Sequence, residues 1–127
     1  MNQRAHLIAL VETIPELEVA VLIGSQVKGT ATALSDWDIA IQWSKSINGW
    51  SRLEHTEMLK QKIANAIGLH KDQIDLIDIN TTRLTMRAVI AEEGIVLKGE
   101  NTLPWRHFLT QTWGELEDFY WRQNNAA

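Results

Sequence analysis

The sequence contains no cysteine. Disulfide bonds and metal sites built on cysteine thiolates are therefore excluded, and the composition suits a reducing compartment. No stretch approaches the run of about 18 apolar residues that a membrane-spanning helix requires. The N-terminus also lacks a secretory signal pattern, because His6 and Glu12 interrupt its apolar positions. We therefore expect a cytoplasmic protein without membrane contact.

Positive charge is scarce as well. The 12 Lys and Arg residues are outnumbered by 16 Asp and Glu residues, which gives a formal net charge of −4. A protein whose main role is binding the nucleic acid backbone usually has a basic surface, so we expect no direct nucleic acid contact and favour a basic protein partner. The 127 residues show no linker or internal repeat, and we predict a single domain over 1–127 with a C-terminal helix.

The most informative segment is residues 19–43, VAVLIGSQVKGTATALSDWDIAIQW. Five apolar residues open it and predict a short buried strand, which Gly24 and Ser25 end abruptly. Ten residues later, Asp36 and Asp38 flank a tryptophan and lead into a second strand that runs to Trp43. Alternate residues of a strand share a face, so the two carboxylates project from one side, about 7 Å apart at Cα.

This arrangement suits a metal-dependent reaction at a phosphate. Mg²⁺ prefers oxygen ligands, usually one or two carboxylates together with phosphate oxygens. Two such ions can stabilise both the attacking and the leaving oxygen of a displacement at phosphorus. Gly24 lets the backbone approach a phosphate closely, and the Ser25 hydroxyl and nearby N–H groups, on a short helix predicted after it, can bind that phosphate. The alternative is a merely solvated strand edge, which the strand patterns on both sides of the motif disfavour.

Further helices and strands follow from periodicity and end signals. An amphipathic helix over residues 3–13 ends at Pro15, and a capping box of Ser51 and Glu54 opens a helix that ends near Gly68. The later predicted elements are a strand Gln73–Ile79, a helix Thr82–Glu93, a strand Ile95–Lys98 and a helix Leu103–Arg122.

The Gly24-Ser25 pair and the later Asp36-x-Asp38 resemble the motif of the DNA polymerase beta-type nucleotidyltransferases. Over about residues 5–98 the chain is most similar to the minimal nucleotidyltransferases, in particular the MntA-type antitoxins that are paired with HEPN-domain ribonuclease toxins. The resemblance implies a nucleotidyltransferase-like α+β fold, in which a small mixed sheet of about four strands is flanked by helices.

The resemblance also implies roles for individual residues. Asp75 and Asp78 point to opposite faces of a regular strand, so only one of them can face the metal ions. The family carries its third carboxylate on the first acid of this strand, which makes Asp75 a ligand of the second ion or the base for the incoming hydroxyl. Lys28 stands where relatives often carry Arg, and Trp37 where a small aliphatic residue is usual. The expected set is catalytic and metal-binding Asp36, Asp38 and Asp75, with nucleotide-binding Gly24, Ser25 and Lys28.

The function implied by the resemblance is that of an antitoxin enzyme. It would transfer AMP from ATP to a tyrosine hydroxyl of its cognate HEPN ribonuclease toxin, with two Mg²⁺ ions as cofactor and release of pyrophosphate. One alternative is an antitoxin that blocks the toxin by binding alone, for which a metal site would be useless. Another is a nucleotidyltransferase that acts on a small molecule or an RNA end.

The last predicted helix carries an apolar stripe at helical spacing. The stripe consists of Trp105, Leu109, Trp113, Leu116 and Tyr120. Such stripes usually pack on the core, but Trp and Tyr are also enriched at protein–protein contacts. The sequence leaves both interpretations open, with Trp105 and Trp113 as the favoured contacts to a toxin.

Overall fold

A computed structural model describes residues 2–125. The predicted domain also includes residues 1 and 126–127, which lie outside that range. In chain order the elements are α1 Gln3–Glu12, β1 Leu17–Ile23, α2 Ser25–Lys28, β2 Trp37–Trp43, α3 Gly49–Ile67, a 3-10 turn Lys71–Gln73, β3 Ile74–Asp78, α4 Leu84–Glu93, β4 Ile95–Lys98 and α5 Leu103–Asn125. Every predicted helix and strand is present, with shifts of up to two or three residues at their ends.

The strands form one mixed sheet in the order β3-β2-β1-β4. Strand β1 is antiparallel to both of its neighbours, and β2 is parallel to β3. The predicted α+β fold with a small mixed sheet is therefore confirmed. Because β1 ends where β2 and β3 begin, the register places Ile23 opposite Asp38, and Asp38 opposite Asp75, at the same end of the sheet.

Each face of the sheet is covered by helices. On one face, the alternating large residues of β2 pack with residues of α1 and α3, including Leu7 and Ile63. On the other face, Ala40 and the inward residues of β1 pack with residues of α4 and α5, including Ile90 and Phe108. The alternation predicted for β2 is therefore confirmed, and Asp38 lies on the face that α4 and α5 cover.

The predicted start of α3 is wrong. The helix begins at Gly49 after Asn48, and the Arg52 N–H already donates to the Asn48 carbonyl at 2.9 Å. Ser51 therefore lies inside the first turn, where it cannot act as the residue that caps the helix. The predicted end is confirmed, since Gly68 adopts the left-handed conformation with a φ of 73°.

Helix α5 differs from the prediction in the face that it buries. Its fully buried residues are Trp105, Phe108, Thr112 and Leu116. Trp113 and Tyr120 are 39% and 59% exposed, so only part of the predicted stripe belongs to the core. Although α5 has 23 residues, neither it nor any other helix within residues 2–125 is long and apolar enough to cross a membrane.

Candidate active site

The turn after β1 brings Gly24 directly beneath the carboxylate of Asp38. A Cβ atom at position 24 would lie 2.6 Å from the Asp38 Oδ2 atom, which is closer than any real contact of this kind. The backbone of Gly24 has a φ of 79° and a ψ of −152°, a region that is essentially restricted to glycine. The backbone conformation therefore requires glycine, and a larger residue would also displace the Asp38 carboxylate.

Helix α2 begins directly after this turn. The N–H groups of Val27 and Lys28 donate to the Gly24 carbonyl at 3.0 and 3.2 Å. The N–H groups of Ser25 and Gln26 lie before the first hydrogen bonds of the helix. Like the first N–H groups of any helix, they have no acceptor within it. The half-buried Ser25, which follows Gly24 directly, therefore carries a hydroxyl and a backbone donor that the helix itself does not use.

Three carboxylates come together at this end of the sheet. Asp38 is half-buried, while Asp36 and Asp75 are exposed beside it. Burial, and then the negative charges of Asp75 and Asp36, raise the pKa of the Asp38 carboxyl above its ordinary value. The carboxylates therefore repel one another at neutral pH, which is the condition under which a cation is attracted.

Asp78 lies elsewhere. In the parallel register it is opposite Ile41, on the face that packs against α3, and it lines a cavity there together with Arg52. Its Oδ1 atom accepts the Asn80 N–H at 2.9 Å. Strand β3 is regular, so of its two acids only Asp75 lies beside Asp38.

The raised pKa of Asp38 predicts how stability changes with pH. The folded state holds the Asp38 proton more tightly than the unfolded chain, so the contribution of this group to the free energy of unfolding falls as pH rises from 3.8 through the folded pKa. We expect Asp38→Asn to raise the melting temperature at pH 7 and this gain to disappear near pH 3. Glu54→Gln, at an exposed carboxyl of α3, is the matched control in thermal melts. A difference in melting temperature between Asp38→Asn and the parent that stays constant from pH 7 to pH 3 would contradict the raised pKa of Asp38.

Lys28 lies at the end of α2, and its Nζ atom is 3.9 Å from the Glu93 carboxylate at the end of α4. Both side chains are about half exposed, and a pair of this kind contributes little to stability. A bound phosphate could therefore attract Lys28 away from Glu93. Sequence patterns did not indicate Glu93, because its position near the site depends on how α4 packs.

The donors at this site fit Mg²⁺, although they do not form a complete cage. Within residues 2–125 no cluster of three His, Cys, Asp or Glu side chains is arranged to hold a metal ion. Protein sites for Mg²⁺ typically supply one or two carboxylates and leave the remaining positions to substrate phosphates and water. The hard oxygen donors of Asp36, Asp38 and Asp75 match that chemistry, in an arrangement that a phosphate substrate would complete.

Comparison with known proteins identifies the class. The family described as "Polymerase beta, Nucleotidyltransferase" matches residues 5–103, and this chain belongs to that family of nucleotidyltransferases. The protein adenylyltransferase MntA of Shewanella oneidensis is 28% identical over 99 residues. That match covers 78% of this chain, and the chain spans only about two thirds (66%) of the relative's length.

Solved structures share the same architecture. A chain from a crystal structure of a toxin–antitoxin with AMP-PNP has a TM-score of 0.70 at 26% identity, covering 95% of this chain and 93% of that chain. A chain from a tri-AMPylated Shewanella oneidensis HEPN toxin in complex with an MNT antitoxin has a TM-score of 0.62 at 23% identity, covering 96% and 91%. At this lower identity the second likeness shows the fold alone.

Proposed function

We propose that this chain is an antitoxin enzyme that transfers AMP from ATP to a tyrosine hydroxyl of a cognate HEPN-domain ribonuclease toxin. The observation that carries the proposal is the Asp38 carboxylate beside Gly24, whose pKa is raised by burial and then by the charges of Asp75 and Asp36. The family match, the related adenylyltransferase and the related fold solved with AMP-PNP support an adenine nucleotide as substrate. The acceptor and the cytoplasmic location rest on the resemblance and the composition.

The proposed reaction is an in-line displacement at the α-phosphorus of ATP. The tyrosine oxygen forms a new bond to this phosphorus, and the bond to the oxygen that bridges to the β-phosphate breaks, so that pyrophosphate leaves. The proton of the tyrosine hydroxyl passes to the exposed Asp75 carboxylate or through it to water. Attachment of AMP adds a bulky anion to the toxin and would silence it by steric and electrostatic effects.

Six residues receive roles in this proposal. Gly24 and Ser25 position the phosphates through the close backbone and the donors at the start of α2, and Lys28 adds a positive charge. Asp36, Asp38 and Asp75 would hold Mg²⁺, which we propose to bind as two ions. When bound, the ions would neutralise the phosphate charge and stabilise the attacking and leaving oxygens.

A labelling experiment tests the reaction. The chain is incubated with Mg²⁺, a candidate cognate HEPN-domain ribonuclease, and ATP labelled at either the α- or the γ-phosphate. Label from the α position should remain on the HEPN protein, whereas label from the γ position should leave as pyrophosphate. Transfer of the γ label would indicate a kinase. Label on a small molecule or an RNA end would favour the alternative acceptors.

The two acids of β3 provide a matched pair of variants. Asp75→Asn should reduce the initial transfer rate by at least about 100-fold, because the carboxylate beside Asp38 is lost. Asp78→Asn should leave the rate within about 2-fold, because that side chain lies on the opposite face of the sheet. Rates at saturating Mg²⁺ and ATP decide the matter, and the reverse ranking would assign the third carboxylate to Asp78.

A further inference from the structure

The C-terminal part of α5 extends beyond the body of the domain. Thr112 and Leu116 are its last two buried residues, and Arg87 of α4 forms an ion pair with Glu115 at the same level. Every residue of 117–125 is exposed. At 1.5 Å per residue, this exposed helical segment is about 13 Å long.

This exposed segment and the turn before it are rich in aromatic residues. Trp113, Phe119 and Tyr120 are 39%, 47% and 59% exposed, and the rings of the last two contact each other at 5.7 Å between centroids. We call these three residues the α5 ridge. Trp113 and Tyr120 are seven residues apart and share a face, which lies beside the buried Leu116. This spacing is the one by which an amphipathic helix inserts into an apolar groove of another protein.

The acidic residues beside the α5 ridge favour a basic partner. Glu117 lies four residues after Trp113 and three before Tyr120, and so stands between the two rings. The neighbouring acids Glu115 and Asp118 are paired with Arg87 and Arg122. In a two-fold contact between copies of this chain, residues near the centre of the face meet themselves, so Glu117 would oppose Glu117. Such like-charge contact disfavours self-association and favours a groove lined by Lys or Arg.

We propose that the α5 ridge is the surface that holds the acceptor protein, by insertion into an apolar groove with a basic rim. This inference rests on the proposed function, in which the acceptor is a ribonuclease. A ribonuclease binds a polyanion and needs positive charge on its surface for that purpose. The α5 ridge therefore supplies binding energy at a distance from the nucleotide, while the three carboxylates act on the acceptor hydroxyl.

Binding to the candidate cognate HEPN-domain ribonuclease, measured without ATP, tests the α5 ridge separately from transfer. Trp113→Ala and Tyr120→Ala should each raise Kd by about 30-fold or more, as loss of a central aromatic contact does. Tyr120→Ala should melt like the parent, because its side chain is 59% exposed. Trp113 is only 39% exposed, so the Kd of Trp113→Ala is measured well below the melting temperature of that variant. Trp50→Ala, which removes an 83% exposed tryptophan of α3, is the matched control and should change Kd by less than about 2-fold. Glu117→Lys should also raise Kd, and the increase should be larger at low salt than at high salt, because salt screens exposed charges.

The outcomes separate the two proposals. If both aromatic variants bind as tightly as the parent while the parent still transfers AMP, the α5 ridge is refuted and the proposed function stands. If the parent does not bind the HEPN protein, both the ridge and the proposed partner fail. If sedimentation shows a parent dimer that Trp113→Ala dissociates, the α5 ridge is a self-association surface instead.

Discussion

Asp38→Asn is expected to lower nucleotidyl transfer by at least about 100-fold without loss of the fold, because it removes a charge-bearing oxygen from the centre of the proposed metal site. Asp38 is the carboxylate that lies against the Gly24 backbone, with an acid on either side of it. The substitution conserves shape and removes the charge. It also removes the charge whose burial, and then whose repulsion by Asp75 and Asp36, raise the pKa of this carboxyl, so the melting temperature should hold or rise. Asp36→Asn should reduce transfer similarly.

Rates and melting curves on the same preparations check this prediction. Glu54→Gln serves as control, because it removes an exposed acid of α3 outside the site. Transfer by Asp38→Asn at the parent rate would show that the carboxylate cluster is not the metal site. A fall in melting temperature together with the rate would indicate instead that Asp38 supports the fold.

Gly24→Ala should be the second severe change, with loss of both activity and stability. A φ of 79° with a ψ of −152° costs a non-glycine residue about 1–3 kcal/mol. The new Cβ would also lie 2.6 Å from Asp38 Oδ2, so the carboxylate or the turn must move. A displacement of about 1 Å at a reacting group can cost 100-fold in rate.

Gly29→Ala is the matched control for Gly24→Ala. Gly29 also has a positive φ, of 75°, but a Cβ there would meet no atom within 4 Å. We expect this control to lose about 1–2 kcal/mol of stability and to keep its activity, because only the backbone conformation is penalised. Equal activity of the two variants would mean that the contact of Gly24 with Asp38 does not matter for transfer.

Much of the candidate site follows from local pattern. The apolar run before Gly24 and the alternation after Asp36 are sufficient to predict β1 and β2, and a regular β3 puts Asp75 and Asp78 on opposite faces. The prediction rests on the two-residue period of a strand. The fold keeps this period because a shift of one residue in the strand register would bury the acids. The roles of these residues remain proposals that the variants above can test.

The parts that the sequence could not predict depend on long-range packing. Helix α5 buries a face that only partly overlaps the predicted stripe. Periodicity alone did not indicate that Phe108 and Thr112 are buried while Trp113 and Tyr120 are not. The helix also continues beyond Leu116, its last buried residue, and no local signal marks that point. The Lys28–Glu93 contact joins two helices that are far apart in sequence, so it too depends on the tertiary fold.

The most direct measurement is the intact mass of the HEPN-domain protein after incubation with ATP, Mg²⁺ and this chain, with its ribonuclease activity followed in parallel. The account predicts a mass increase of one or more AMP groups, located on tyrosine and accompanied by loss of RNA cleavage, and no increase with Asp38→Asn. An unchanged mass together with full inhibition at equimolar protein would contradict it. That result would show that the chain neutralises its partner by binding alone.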